Sequence, residues 1–117
     1  MLQTVSSPLR QSAEPAAPVL GFDVAGFNCD GEFPWRATWS DVRQITAYKI
    51  DRVTVDEIRV DFSLQDGTIR VITEEFAGFE SLMLEIARRF PSVLGWHRRV
   101  AQPAFAPSAS VLYKCVD

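Results

Sequence analysis

The chain has 117 residues, a net charge of -3 at pH 7 and an isoelectric point of about 5.1. This length suits one domain with one hydrophobic core that needs no metal ion or disulfide to staple it. Hydrophobic residues make up 47% and charged residues 23%, which is typical of a globular protein, and the acidic balance argues against a nucleic-acid binder. No apolar run approaches the ~20 residues of a membrane-spanning helix, and the N-terminus lacks the apolar core of a signal peptide, so we expect a cytoplasmic protein with no membrane span.

The N-terminal segment differs from the rest of the chain in composition. It is rich in Ser, Pro, Ala and Gln and shows no hydrophobic periodicity, and Pro8, Pro15 and Pro18 disfavour a helix. Such a segment cannot bury enough apolar surface to offset the entropy of ordering. We therefore predict a flexible tail over residues 1–18 and a single domain over residues 19–117.

Short apolar segments separated by turn-forming residues predict a series of strands. The first strand is predicted at residues 19–24, and the Gly, Asn and Asp residues over 26–31 predict a turn. A second strand is predicted at residues 33–39, where Pro34 cannot donate to a ladder and so indicates an edge strand or a bulge. The next strand is predicted at residues 42–50, followed by a bend at residues 51–52.

The clearest pattern in the chain predicts a β-hairpin. Within residues 53–64, Ile58, Val60 and Phe62 alternate with polar residues, which is the period of two of a half-buried strand. The pair Asp66 and Gly67 is typical of a hairpin turn that needs positive φ. Residues 69–73 supply the returning strand.

One amphipathic helix is predicted after this hairpin. Its apolar stripe at helical spacing consists of Phe79, Leu82, Met83, Ile86 and Phe90. Pro91 ends the helix. Residues 91–110 are predicted to form a loop with a short extended piece at 96–100, and residues 111–116 are predicted to form a final strand.

The order of strands, helix and strand predicts an α+β fold. Consecutive strands joined by tight turns give an antiparallel meander, and one helix covers one face or one open end of it. We predict a bent antiparallel sheet, or a small partly open barrel, of about six to seven strands. The helix caps it, and an extra C-terminal strand follows.

Several segments of the chain resemble a group of small bacterial proteins of unknown function. They are the run Trp39-Ser40-Asp41-Val42-x-x-Ile45-x-Ala47-Tyr48-Lys49-x-Asp51, then Asp56-x-Ile58-x-Val60-x-Phe62, Glu74-Glu75-x-x-Gly78-Phe79, Pro103-Ala104-Phe105 and Leu112-Tyr113. The tryptophan, the Ser-Asp pair and the isoleucine-bearing strand are also similar to a turn of bacterial pleckstrin-homology-like (PH-like) and GRAM-like domains. This resemblance implies a bent antiparallel sheet capped by a helix. The resemblance is not a basis for predicting lipid binding, because the first hairpin lacks the Lys/Arg cluster of the members that bind phosphoinositides, and no catalytic residue can be carried over from it.

Residues with catalytic or metal-binding potential are few. His97 is the single histidine, so the sequence predicts no histidine-based metal cluster, and a Cys29/His97 nucleophile pair lacks a recognisable motif. We therefore predict no enzyme activity, no cofactor and no metal site. Cys29 and Cys115 are predicted to be free thiols, with a disulfide between them as the open alternative.

Two groups of charged residues each leave a structural and a functional interpretation open. The first favours cross-strand ion pairs, with a cation site as the alternative, and consists of Asp51, Asp56, Glu57 and Asp61 flanked by Lys49, Arg52 and Arg59. The second is a basic neighbourhood that forms a solvated edge or meets an anionic partner, and it consists of Arg88, Arg89, His97, Arg98 and Arg99.

Aromatic residues crowd the first half of the predicted domain. Most belong in the core, but Phe33 and Trp35 near an edge strand would form an adhesive patch, and an edge strand is itself a template for strand addition. We predict a non-enzymatic interaction module that binds a protein partner or itself, with Phe33, Trp35, Arg98 and Arg99 as candidate partner-binding residues. The alternatives are an immunity protein that neutralises a bacterial toxin, and a carrier of a small ligand or lipid in a pocket between helix and sheet.

Overall fold

The chain has an α+β fold, as predicted, in a computed structural model that describes residues 16–52, 55–101 and 108–116, with positions 51, 52 and 108 described for the backbone only. In these ranges the strands are β1 (Val19–Phe22), β2 (Gly26–Asp30), β3 (Trp35–Thr38), β4 (Val42–Arg52), β5 (Val55–Leu64), β6 (Ile69–Thr73) and β7 (Ser108–Lys114). The helices are α1 (Phe79–Arg89) and α2 (Trp96–Ala101). None of the helices in the described ranges is long and apolar enough to cross a membrane.

The strands form two antiparallel sheets. The first has the order β1-β2-β3 and the second has the order β6-β5-β4-β7. The prediction of a single bent sheet or a partly open barrel was wrong in this respect, because the chain leaves β3 through a 3-10 turn at Trp39–Asp41 and begins a new ladder in β4. The predicted final strand is present as β7, which pairs with β4.

The predicted hairpin is formed by β5 and β6. Gly67 has a φ of 90°, and the Asp66 carboxylate accepts a hydrogen bond from the Thr68 N–H at 2.9 Å. The register pairs Val60 with Ile72, and both side chains are fully buried. The alternating pattern of β5 therefore predicted its buried face correctly.

The turn predicted at residues 26–31 was wrong, because most of this segment is β2. Phe27 and Cys29 turn their side chains into the core, between more polar neighbours. Gly26 lies so close to β3 that a Cβ atom there would overlap the Ala37 carbonyl oxygen and lie 2.8 Å from the Thr38 Cα. The glycine thus allows close strand pairing rather than a turn.

Helix α1 matches the predicted amphipathic helix. Its buried side chains are Phe79, Leu82, Met83 and Ile86. Gly78 precedes it with a φ of 85°, and a Cβ atom at this position would lie 2.5 Å from the Leu20 carbonyl oxygen. Only glycine accommodates both the backbone conformation and this approach of β1.

The extended piece predicted at residues 96–100 was wrong, because these residues begin α2. Val100 anchors the helix in the core, and the Lys49 ammonium on β4 donates a hydrogen bond to the Ala101 carbonyl oxygen at 2.7 Å. A cation at this end of a helix is favourable. Part of the predicted tail, at residues 1–15, and the motif residues Pro103 and Phe105 lie outside the described residues.

Candidate functional site

Three of the four edge strands are short or have their edges partly occupied. In β1, the Leu20 N–H donates to the Ala77 carbonyl oxygen at 2.8 Å. Strand β3 has four residues and follows Pro34, which stands beside an edge strand as predicted. In β7, the Ser92 hydroxyl donates to the Leu112 carbonyl oxygen at 2.6 Å. Each of these features limits pairing with another chain.

The fourth edge strand, β6, presents an open backbone edge. At its end, the Glu74 N–H donates to the Ile58 carbonyl oxygen at 3.1 Å. Glu74 and Ile58 are therefore a hydrogen-bonded pair, and this shows which residues of β6 bond to β5. Because residues in an antiparallel ladder alternate between bonded and non-bonded pairs, Ile69 and Val71 direct their N–H and C=O groups away from β5. No described residue binds these four groups.

The side chains of β6 also expose apolar surface beside this edge. On the outer face, Ile69 is 56% exposed and Val71 is 39% exposed. On the opposite face, Ile72 is buried in the core, and Arg70 lies opposite Phe62. The strand therefore combines unpaired backbone groups with β-branched apolar side chains, which favours addition of another strand.

A cleft of about 370 Å³, here called the edge cleft, lies next to β6 where the two sheets meet. Its lining includes Cys29, Phe33, Trp35, Arg70, Val71 and Phe76, together with the acidic residues Asp30 and Glu32. The Arg70 guanidinium lies over the Trp35 ring, with the carbon Cζ 5.5 Å from the ring centre. Phe33 is 81% exposed. The cleft thus has an aromatic wall, and Arg70 is the one cation among its described lining residues.

The candidate residues named from the sequence lie in two separate places. Phe33 and Trp35 line the edge cleft together. Arg98 and Arg99 lie on α2, where Arg98 lines a different groove and Arg99 donates a hydrogen bond to the Ser92 carbonyl oxygen at 2.8 Å. The sequence interpretation missed Arg70. The Asp-Gly turn sets a register that pairs Arg70 with Phe62, and this pairing places Arg70 on the same face of the hairpin as the buried Phe62.

The second opening, here called the helix groove, lies between α1 and α2 and has a volume of about 770 Å³. Its apolar lining consists of Phe79, Met83, Leu84, Ala87, Leu94, Trp96 and Ala101. Its charged or titratable lining residues are Glu74, Glu80, His97 and Arg98. This size and composition are typical of sites for small ligands.

The basic neighbourhood does not form one continuous surface. Arg88 and Arg89 both bind the Glu85 carboxylate at 2.7 Å, and Arg89 also lies over the Trp39 ring with Cζ 4.4 Å from its centre. The hydrogen bond from Arg88 holds the pKa of Glu85 below its usual value. These two arginines therefore form ion pairs within α1, and they do not line the helix groove with Arg98.

Two members of the acidic group on β4 and β5, Asp56 and Glu57, form ion pairs. The Lys49 ammonium lies 3.5 Å from the Asp56 carboxylate across the two strands, and Arg59 lies 3.2 Å from Glu57. Within the described ranges, no three His, Cys, Asp or Glu side chains come together to hold a metal ion. The side chains of residues 51 and 52 lie outside the description.

The two cysteines are free thiols in the structure, and the alternative disulfide does not form. Burial raises the pKa of the Cys29 thiol, which disfavours the reactive thiolate. Cys29 lines the edge cleft, whereas His97 lines the helix groove. The hypothetical Cys29/His97 pair is therefore divided between two openings.

Comparisons with known proteins give no relative from which a function could be transferred. No protein-family model, no curated protein and no solved structure matches the chain. Evidence on function therefore comes from the geometry of β6 and of the two openings.

Proposed function

We propose that this chain is a non-enzymatic protein-interaction module of PH-like type, which binds an extended segment of a partner protein alongside β6. The observation that carries the proposal is the open edge of this strand, where Ile69 and Val71 present N–H and C=O groups that no described residue binds, beside exposed apolar side chains. Strand addition uses this combination, with main-chain hydrogen bonds for affinity and side-chain pockets for specificity.

The four outward backbone groups set the scale of the interaction. Each main-chain hydrogen bond contributes a net stabilisation of about 0.5–1.5 kcal/mol, so four bonds contribute roughly 2–6 kcal/mol to the binding free energy. The loss of translational and rotational freedom on association opposes this gain. Contacts of the added strand with Ile69, Val71 and the edge cleft supply the rest of the binding free energy, at about 25 cal/mol for each Å² of apolar surface buried. We therefore expect an extended segment that spans the five residues of β6 to bind reversibly.

The PH-like type is supported by the arrangement of the elements. Strands β1 to β6 form two antiparallel sheets of three strands each, which enclose one core with an amphipathic helix that follows β6. The chain departs from that type after the helix, where α2 and β7 are added and β7 extends the second sheet. PH-like folds serve many functions, so the binding proposal is based on β6 and not on the fold.

Replacement of Val71 by proline is expected to weaken binding at least about tenfold, equivalent to about 1.4 kcal/mol. Proline removes an N–H that points away from β5, so the β5–β6 ladder keeps its hydrogen bonds while the free edge is blocked. The measurement is calorimetric titration with peptides that the wild-type protein selects from a fully randomised decapeptide display library.

The matched control is Val71→Thr, which keeps the N–H and the β-branched shape and is expected to bind within about threefold of wild type. Amide hydrogen exchange of the wild type provides a second test if Val71→Pro fails to fold. On peptide binding, the amides of Ile69 and Val71 become protected, while those of Arg70 and Ile72 change little because they already bond to β5. Equal binding by Val71→Pro, or unchanged exchange at Ile69 and Val71, would contradict the proposal.

A second candidate function, a carrier of a small apolar ligand, is favoured by the helix groove. Its volume of about 770 Å³ lies in the range of ligand sites, and Leu84 and Leu94 expose apolar surface in its lining. Under this alternative, native mass spectrometry of the protein purified from its host shows a mass increment of one small molecule. The increment is expected to disappear in Leu94→Asp and to persist in Val71→Thr. If the wild-type protein shows only the mass of its own chain, the carrier function is wrong.

A further inference from the structure

We propose that the segment bound along β6 carries an acidic side chain at the position that faces Arg70, and apolar side chains at the alternate positions. This inference concerns the specificity of the binding site and rests on the proposed function. It specifies the partner as an extended peptide with alternating acidic and apolar residues.

The alternation follows from the pleat of the sheet. In a strand added to β6, successive side chains point to opposite faces of the sheet. One set lies beside Ile69 and Val71 on the outer face, where exposed apolar side chains favour apolar neighbours. The other set lies on the face of Arg70 and enters the edge cleft beside Trp35.

Arg70 provides the charge that selects the second set. Among the described residues, its side chain forms no ion pair, and its Nε atom is buried without a hydrogen-bond partner. The Trp35 ring holds the guanidinium on one side at 5.5 Å. A planar guanidinium in this position favours a carboxylate, which accepts charge-assisted hydrogen bonds from its terminal nitrogens.

Two acidic residues of the same lining oppose a carboxylate but do not neutralise Arg70. Asp30 and Glu32 are exposed, and neither lies within ion-pair distance of the Arg70 guanidinium. Water and salt screen these exposed charges strongly, whereas the partly buried Arg70 is screened less. A carboxylate in the cleft can therefore pair with Arg70, which is the one basic residue of the described lining.

The test uses the same peptides selected from the fully randomised display library. The acidic residue found opposite Arg70 is changed from Glu to Gln, and both peptides are titrated against wild type, Arg70→Met and Arg70→Lys. With wild type, the Glu peptide is expected to bind about tenfold more tightly than the Gln peptide, as for the loss of one charge-assisted hydrogen bond. With Arg70→Met the preference disappears, and with Arg70→Lys part of it returns.

The outcomes separate the two proposals. If the selected peptides show no acidic position, or if wild type binds the Glu and Gln peptides equally while Val71→Pro still blocks binding, the edge site stands and the acidic specificity is wrong. If no peptide is selected, or if Val71→Pro binds as wild type does, the edge site itself fails. A preference for Glu that persists in Arg70→Met would assign the selectivity to another group and would also overturn the inference.

Discussion

Replacement of Phe27 by alanine is expected to lower the free energy of unfolding by about 3–5 kcal/mol, the usual cost of removing a large aromatic side chain from a core. Phe27 is fully buried and contacts three aromatic rings. Its ring centre lies 5.1 Å from that of Trp39, 5.7 Å from that of Trp35 and 4.8 Å from that of Phe62. Since Phe62 belongs to β5, the substitution also removes an aromatic contact between the first sheet and the second.

Urea denaturation followed by tryptophan fluorescence provides the measurement, because Trp35 and Trp39 report directly on this contact. Phe33→Ala is the matched control, since Phe33 is 81% exposed and its loss is expected to change stability by less than about 0.5 kcal/mol. An equal loss of stability in the two variants would show that the Phe27 cluster does not join the sheets.

Replacement of Gly26 by alanine is expected to cost roughly 3 kcal/mol, at the upper end of the range for overpacking a core. The added methyl group would overlap the backbone of Ala37 in β3, and backbone atoms cannot move aside as a side chain can. The strand pair β2–β3 must separate, and this displaces Phe27 from the core.

Gly21→Ala provides the comparison for this variant. Its added methyl group would lie 3.3 Å from the Asn28 Oδ1 atom, which belongs to a side chain that can move. Because alanine is also less costly to order in a strand than glycine, Gly21→Ala is expected to be neutral or slightly stabilising. Thermal unfolding of both variants by circular dichroism tests this contrast, and a stable Gly26→Ala protein would rule out the close approach of β2 and β3.

Much of the second sheet and α1 could be predicted because their residues show strong periodicity. Ile58, Val60 and Phe62 mark the buried face of β5, and the Asp-Gly pair marks its turn. Strand β2 was missed because Gly26, Asn28 and Asp30 are typical of turns, and the alternation of Phe27 and Cys29 between them was too short to outweigh this composition. Helix α2 has only six residues, which is too short for a helical period to be distinguished.

The candidate site was predictable only in part. The sequence indicated the aromatic residues Phe33 and Trp35 and an edge beside Pro34, but the open edge is that of β6. Which edge is covered depends on contacts between distant segments, such as that of Ala77 with Leu20, and no local pattern reports them. Arg98 and Arg99 were grouped with the aromatic residues on charge alone, and the short helix α2 places them apart.

The pairing of β7 with β4 has a consequence for the order in which the domain assembles. Strands β4, β5 and β6 follow one another through short connections, so their contacts form with little loss of chain entropy. Strand β7 follows both helices in the chain, so its pairing with β4 closes a long loop. The loss of chain entropy on closing this loop favours late formation of the pairing. The hairpin that carries the open edge of β6 has local contacts, so we expect it to form before the sheet behind it is complete.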